Sequence, residues 1–188
     1  ILSRGLGDVY KRQVPKLRVS EMNKVTITLM QANDWTSVAK IYNDGISSGF
    51  ATFETSAPDY AVWNKAHLKA CRLIATSSQE IIGWAALSPV SGRCVYGGVA
   101  EVSVYIATNA RGLGIGKLLM KQLISDSEKE GLWTLQSGIF PENKASIELH
   151  KSMGFRYIGK REKIGKTAEG VWKDNLLFER RSTAIGIN

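Results

Sequence analysis

The chain holds little cysteine, histidine or proline: two, two and four residues of 188. Cys71 and Cys94 are too few for a disulfide framework, and with only His67 and His150 beside them they form no zinc-ligand spacing. A reduced, cytoplasmic setting and no metal are the expectation. No apolar run nears the roughly 20 residues that cross a bilayer, so no membrane partner is expected. No internal repeat or low-complexity stretch is visible, which leaves a solenoid or a disordered chain unsupported. What is present suits one domain: 188 residues, 44% of them hydrophobic, can enclose a core of ordinary size.

The formal charge of +8 invites a nucleic-acid reading, and its distribution argues against one. Half of the excess lies in residues 1–24. The rest is scattered, with a concentration at Arg156, Lys160, Arg161, Lys163 and Lys166. Such charge suits an anionic small molecule as well as a phosphate backbone, and no nucleic-acid module accompanies it. No nucleic-acid partner is expected. Residues 1–24 have no clean periodicity and read as a leader, disordered or in part foreign to the protein, ahead of a single domain at 25–181 and a tail at 182–188.

The stretch from Ala100 to Met120 organises that domain. It begins as a strand, with Val102, Val104 and Ile106 alternating with Ser103 and Tyr105. It ends as a helix, because Ile115, Leu118, Leu119 and Leu123 fall on one helical face. Between them, Arg111-Gly-Leu-Gly-Ile-Gly116 lets the chain turn sharply and lets backbone N–H groups approach an anion without a Cβ in the way. The helix N-terminus behind it adds unpaired amides and the positive end of a dipole. The order G-x-G-x-G is not the G-x-G-x-x-G of a dinucleotide fold, and Lys117 precedes Leu118 where a triphosphate loop needs Ser or Thr. A plain strand-to-helix turn stays open on the local pattern alone.

Around this unit the periodicity predicts a strand at 25–29 and a helix capped by Asn33 and Asp34 through Ile46. A short helix then starts at Pro58 and Asp59. Strands follow at 72–76 and 81–87, joined by the polar turn 77–80. The long helix ends at Gly131, residues 132–139 form a strand, and a helix opens at Pro141 and stops at Gly154. Strands at 155–160 and 171–179 finish one α/β domain with a mixed, mostly antiparallel sheet flanked by helices.

Arg111-x-x-Gly114-x-Gly116 after a strand resembles the coenzyme A signature of the GCN5-related N-acetyltransferases (GNAT). Asn143-x-x-Ser146-x-x-x-His150-x-x-x-Gly154-Phe155 resembles a second block of that superfamily. Ile41-Tyr-Asn43, Thr52-Phe-Glu-Thr55, Glu101-Val-Ser-Val-Tyr105 and Trp172-Lys-Asp174 are similar to its phosphinothricin N-acetyltransferase group. Departures are Lys173 and Asn175, the latter where an apolar residue is usual, and the missing proline after Ile106.

The resemblance implies the GNAT fold, acetyl-CoA as co-substrate and a homodimer. It implies acetyl transfer to the primary amine of a small amino acid or analogue of the phosphinothricin or methionine sulfoximine type, by direct attack in a ternary complex. A protein N-terminus or polyamine acceptor, or a coenzyme A-binding module without turnover, are the alternatives. An ammonium must lose a proton before it attacks a thioester, and Glu101 stands where the family keeps its base. A backbone amide at Tyr105 or its neighbour would stabilise the oxyanion, and His150 would serve the leaving sulfur as acid or simply hold it. Backbone groups of Val104, Tyr105 and Ile106 would pair with pantetheine. Amides of Arg111, Gly112, Leu113, Gly114, Ile115 and Gly116 would hold the pyrophosphate with Lys117, and Asn143 and Ser146 would touch the cofactor. Phe53, Arg93, Tyr96, Glu101 and Ser103 would form the acceptor side, Arg93 suiting a carboxylate or phosphinate.

Overall fold

Alternation along a strand sends successive side chains to opposite faces of a sheet, and in the computed structural model, which describes residues 24–187, those faces make two cores. Seven strands, β1 (Thr26–Leu29), β2 (Leu73–Ser77), β3 (Glu80–Pro89), β4 (Val99–Ile106), β5 (Thr134–Ile139), β6 (Arg156–Lys166) and β7 (Trp172–Arg181), form one sheet in the order β1-β2-β3-β4-β5-β7-β6. Only β4 and β5 run parallel, and the other neighbours are antiparallel. The helices α1 (Trp35–Ile46), α2 (Tyr60–Ala66), α3 (Ile115–Lys129) and α4 (Lys144–Ser152) flank it. This is the mixed, mostly antiparallel architecture expected.

One sheet face carries Leu73, Ala75, Ala85, Leu87 and Val102 against Ile115, Leu119, Met120 and Leu123 of α3. The opposite face carries Ile74, Trp84 and Ala86, with Tyr105, against Val38 and Ile41 of α1 and Trp63 of α2. Each fully buried aliphatic or aromatic side chain here contributes about 1.5–3 kcal/mol by leaving water. β4 therefore has both faces covered. None of the helices among the described residues is long and apolar enough to cross a membrane.

Several boundaries shift by a residue or more, and three of the shifts have a visible cause. β6 runs to Lys166 rather than Lys160, because its residues are polar and mostly exposed, and pairing with β7 rather than an apolar period extends it. β5 begins at Thr134 rather than residue 132, since the amides of Leu132 and Trp133 are taken by the carbonyls of Ser127 and Gly98. α4 begins at Lys144 rather than Pro141. Residues 140–143 form a turn in which Asn143 N donates to Phe140 O at 2.9 Å, and Asn143 then caps the helix by accepting from Ser146 N at 3.1 Å. The expected leader, Lys24 apart, lies outside the described residues. Beyond β7, Arg181 Nη1 donates to the carbonyls of Ser182 and Ile185 at 3.0 and 2.7 Å, tying residues 182–186 back.

Candidate active site

β4 is paired with β3 from Ala100 to Ile106, but with β5 only at Val99, Ala100 and Glu101. Past Glu101 the two parallel strands separate. Backbone groups alternate between the two edges of a strand. Ala107 N donates to Ile82 O of β3 at 2.9 Å, and Gly98 O accepts from Trp133 N and Thr134 N at 2.8 and 3.1 Å. Odd positions thus face β3 and even positions face β5. The pairing of Glu101 with Gln136 engages the Val102 N–H. This leaves the Val102 C=O and the N–H and C=O groups of Val104 and Ile106 pointing into the gap, where Arg111 Nε donates to Ile106 O at 3.2 Å. The amide of Tyr105 points to β3. The donor that reaches the gap belongs to a neighbour of Tyr105, not to Tyr105 itself.

The gap opens into a cleft of about 1090 Å³. Residues 102–106 of β4 and Ser137–Ile139 of β5, with Phe140 just beyond it, form its split floor. The segment 110–117, α4, the loop 48–53 and parts of β6 and β7 form its walls. Gly112 and Gly114 have φ of +78° and +79°, a region that side chains with a Cβ rarely occupy. A Cβ on either would meet no atom within 4 Å, so backbone conformation rather than crowding requires glycine. At Gly116 the reason is contact, since a Cβ there would lie 3.1 Å from Leu149 of α4. Gly114 caps α3 with no side chain, and the first turn holds Lys117 and no acid. Free amides at the positive end of a 15-residue helix, with Arg111 and Lys117 exposed beside them, fit a diphosphate. Leu113 turns its side chain into the main core and Ile115 is buried there, leaving their backbones to this segment.

On α4, Asn143 and Ser146 line the cleft and also hold the fold together. Asn143 Oδ1 is the helix cap, and its Nδ2 donates to Phe50 O at 3.4 Å. His150 is buried, edge-on to Phe155 at 4.9 Å. Its Nδ1 lies 2.8 Å from Ser146 O, which can only accept, so that nitrogen carries the proton. Burial lowers its pKa, the bond to Ser146 opposing that, and the ring is neutral with an unpartnered Nε2 lone pair. Such a ring can accept a hydrogen bond and has no proton at Nε2 to give.

On the α1 face of the sheet, Glu101, Ser103 and Tyr105 share one side of β4 and all line the cleft. Gln136 Nε2 donates to Glu101 Oε2 at 3.1 Å across the last β4–β5 pair, fixing the carboxylate at the point where the strands part. Burial first, with Tyr42 beside it, pushes the Tyr105 phenol up, so it stays protonated. Phe53 packs edge-on against Phe140 at 4.7 Å and roofs this side. Arg93 and Tyr96 are not brought to the cleft within the chain. Both are exposed on the β3–β4 connection, the guanidinium 5.7 Å from the ring. Gln136, Arg161 and Asn175, unselected in the sequence, stand at or beside the cleft instead. The polar Asn175 at an ordinarily apolar position was the one available signal.

Residues 35–155 match the model of the acetyltransferase (GNAT) family. The chain is 38% identical over 103 residues to a phosphinothricin N-acetyltransferase of Streptomyces coelicolor, a match covering 55% of the chain and 60% of that relative. It is 30% identical over 150 residues to an L-methionine sulfoximine/L-methionine sulfone acetyltransferase of Pseudomonas paraeruginosa, covering 75% of the chain and 85% of the relative. The solved structure of a GNAT superfamily phosphinothricin acetyltransferase from Sinorhizobium meliloti in complex with AcCoA superposes with a TM-score of 0.78. It is 26% identical and covers 87% of this chain and 91% of that one.

Proposed function

The chain belongs to the acetyltransferase (GNAT) family, and on that premise we propose that it moves the acetyl group of acetyl-CoA to the primary amine of a small amino acid or analogue. The observation that carries this is the parting of β4 from β5 at Glu101, which joins free backbone groups, a carboxylate and an anion-binding helix start in one cleft. The relatives named for phosphinothricin and methionine sulfoximine support an amino-acid-like acceptor. The open left-handed glycines and acid-free first turn of α3 fit the coenzyme's diphosphate.

Bound coenzyme supplies an acetyl thioester. The Val102 carbonyl, both backbone groups of Val104 and the Ile106 N–H are what an amide-bearing arm pairs with, in place of the missing β5 edge. Amides from Arg111 to Gly116, with Lys117, hold the diphosphate end. Glu101, oriented by Gln136, takes the proton from the acceptor's ammonium, directly or through water. Negative charge arising on a carbonyl oxygen in the gap meets the amide of Val104 or Ile106. The departing thiolate takes the second proton, shed by the nitrogen as it becomes an amide, and only the thiol so formed can donate to the neutral His150 at Nε2. Direct transfer in a ternary complex is the reading supported by a single cleft that joins the carboxylate to the anion-binding helix start.

Thiol release from acetyl-CoA, measured with phosphinothricin, methionine sulfoximine, spermidine and a peptide, tests the reading. Turnover of the amino acids over the last two is the expected result. Turnover of spermidine or the peptide alone replaces the acceptor class, and no release with any of them leaves a coenzyme-binding module. A homodimer, expected from the resemblance, is part of the same proposal and is read by light scattering.

A further inference from the structure

The acceptor side of the cleft contains a built polar contact that the expected substrate residues do not include. Arg161 of β6 donates through Nη2 to Asn175 Oδ1 of β7 at 2.5 Å, and the two residues are cross-strand partners. Asn175 is 6% exposed, one of the two buried residues of β7 with Phe178, in a strand whose other positions are partly or fully exposed. Both lie over Gly138 of β5. A Cβ there would stand 2.8 Å from the Asn175 amide and 2.9 Å from Arg161 Nη2. Glycine at 138 is what leaves room for the pair.

The charge of Arg161 is unspent. Among the described residues, the ion pairs of β6 and β7 take Arg156 to Glu179, Lys160 to Glu162 and Asp174, Lys173 to Glu142, and Arg180 to Glu128. Arg161 has none. A guanidinium tethered by one nitrogen keeps its remaining N–H donors in a fixed fork, the geometry that suits an oxyanion. Gln136, which holds Glu101, and Gly138, beneath Arg161, are same-face neighbours on β5, so about 7 Å separates the two positions. The proposed base and this cation thus flank one small volume, as an ammonium and an oxyanion on one small molecule require.

We propose that Arg161, tethered by Asn175 over Gly138, is the subsite that recognises an oxyanion of the acceptor, either its α-carboxylate or an acidic group at its far end. This rests on the acetyl-transfer reading above and narrows it to zwitterionic or acidic amino acids, against polyamines.

The test compares wild type, Arg161→Ala, Arg161→Lys and Asn175→Leu on paired acceptors. The readouts are kcat/KM for thiol release and Kd by calorimetry on coenzyme A-loaded protein. One pair is phosphinothricin and its α-carboxamide; the other is phosphinothricin and methionine sulfone, which is neutral at its far end. Arg161→Ala is expected to lower the preference for the anionic member of one pair roughly 10- to 100-fold and to weaken its Kd by a similar factor. The affected pair identifies the oxyanion. Arg161→Lys recovers part of the preference, because an ammonium has charge and no fork, and Asn175→Leu falls between wild type and Arg161→Ala. An unchanged preference in both pairs, or equal losses on both members as a merely structural role would give, overturns the proposal. Should wild type release no thiol with any acceptor, the acetyl-transfer reading fails and calorimetry decides. Binding lost in Arg161→Ala upholds the subsite. Equal binding by both proteins, or none by wild type, overturns it.

Discussion

The two sides of β4 differ in how much the chain leaves unfinished. Toward β1–β3, the strand is paired throughout. Its neighbours form a run of ring contacts, Tyr105 on Trp84 at 4.9 Å, Trp84 on Trp63 at 5.9 Å and Trp63 on Trp35 at 5.1 Å. Arg72 closes the end of α2 there, donating through Nη2 to the carbonyls of Asn64 and His67 at 2.9 and 2.8 Å. Toward β5, the pairing stops after three residues and amides, carbonyls and a guanidinium face a cleft. One side holds stability and the other holds chemistry, and they share a single strand. A change on the first should cost folding and spare the intrinsic rate, while a change on the second should do the reverse.

Glu101→Gln is the sharpest way to break that division, with the largest expected effect. It keeps the shape beside Gln136 and removes the proton acceptor, so turnover should fall by roughly 10²–10⁴ with an unchanged melting temperature. Near-wild-type turnover at neutral pH would remove Glu101 from the mechanism. The mirror experiment is Trp63→Ala, which empties a fully buried site between α1, α2 and β3. It should cost about 3–5 kcal/mol of stability, seen in a denaturation midpoint, with the kcat of the folded fraction retained. A large loss of kcat there would show that the two sides are not separable.

Most of the closed side was legible in the sequence, because burial on two faces writes itself as short apolar runs in β2 and β3, with alternation in β4 and helical spacing in α3. The open side was legible only where local rules operate. Gly112 and Gly114 were found because a strand-to-helix turn needs left-handed residues. The split of β4 from β5 was not legible, since it is a relation between strands about 30 residues apart and depends on which register stops. Arg161 was hidden for a different reason: in Lys160-Arg-Glu-Lys163 it reads as one more solvated charge, and only the pairing of β6 with β7 sets it beside Asn175.

Gly114→Ala should show a smaller effect that falls on both properties, because this residue belongs to the open side and yet sets a backbone angle. A Cβ meets no neighbour, so the cost is that of the left-handed conformation, about 1–2 kcal/mol. The loop is expected to relax away from its present shape, raising the KM for acetyl-CoA more than that for the acceptor. An equal rise in both would place the loop's influence on the whole cleft rather than on the diphosphate end.

The smallest expected effect is on the pH dependence of stability, and it samples both sides at once. His67 stacks on Trp63 at 4.2 Å on the closed side, and His150 lies under the open one. Burial lowers both pKa values below 6.5, with Arg72 adding to the shift at His67. Between 6.5 and the lowered native values, the unfolded chain binds more protons than the native one, so acidification favours unfolding. The contribution is complete above about pH 6.5 and is lost as pH falls toward the native values, by no more than about 1.4 kcal/mol per pH unit for one proton. Denaturant midpoints followed downward from pH 7.5 should fall across this window, before the acid-lowered carboxylates Glu142 and Asp174 begin to titrate. His150→Phe should remove its share of the slope and leave that of His67. Because its Nε2 has no proton to give, the same variant should keep an unaltered pH profile of kcat; a lost limb in that profile would return His150 to the role of acid.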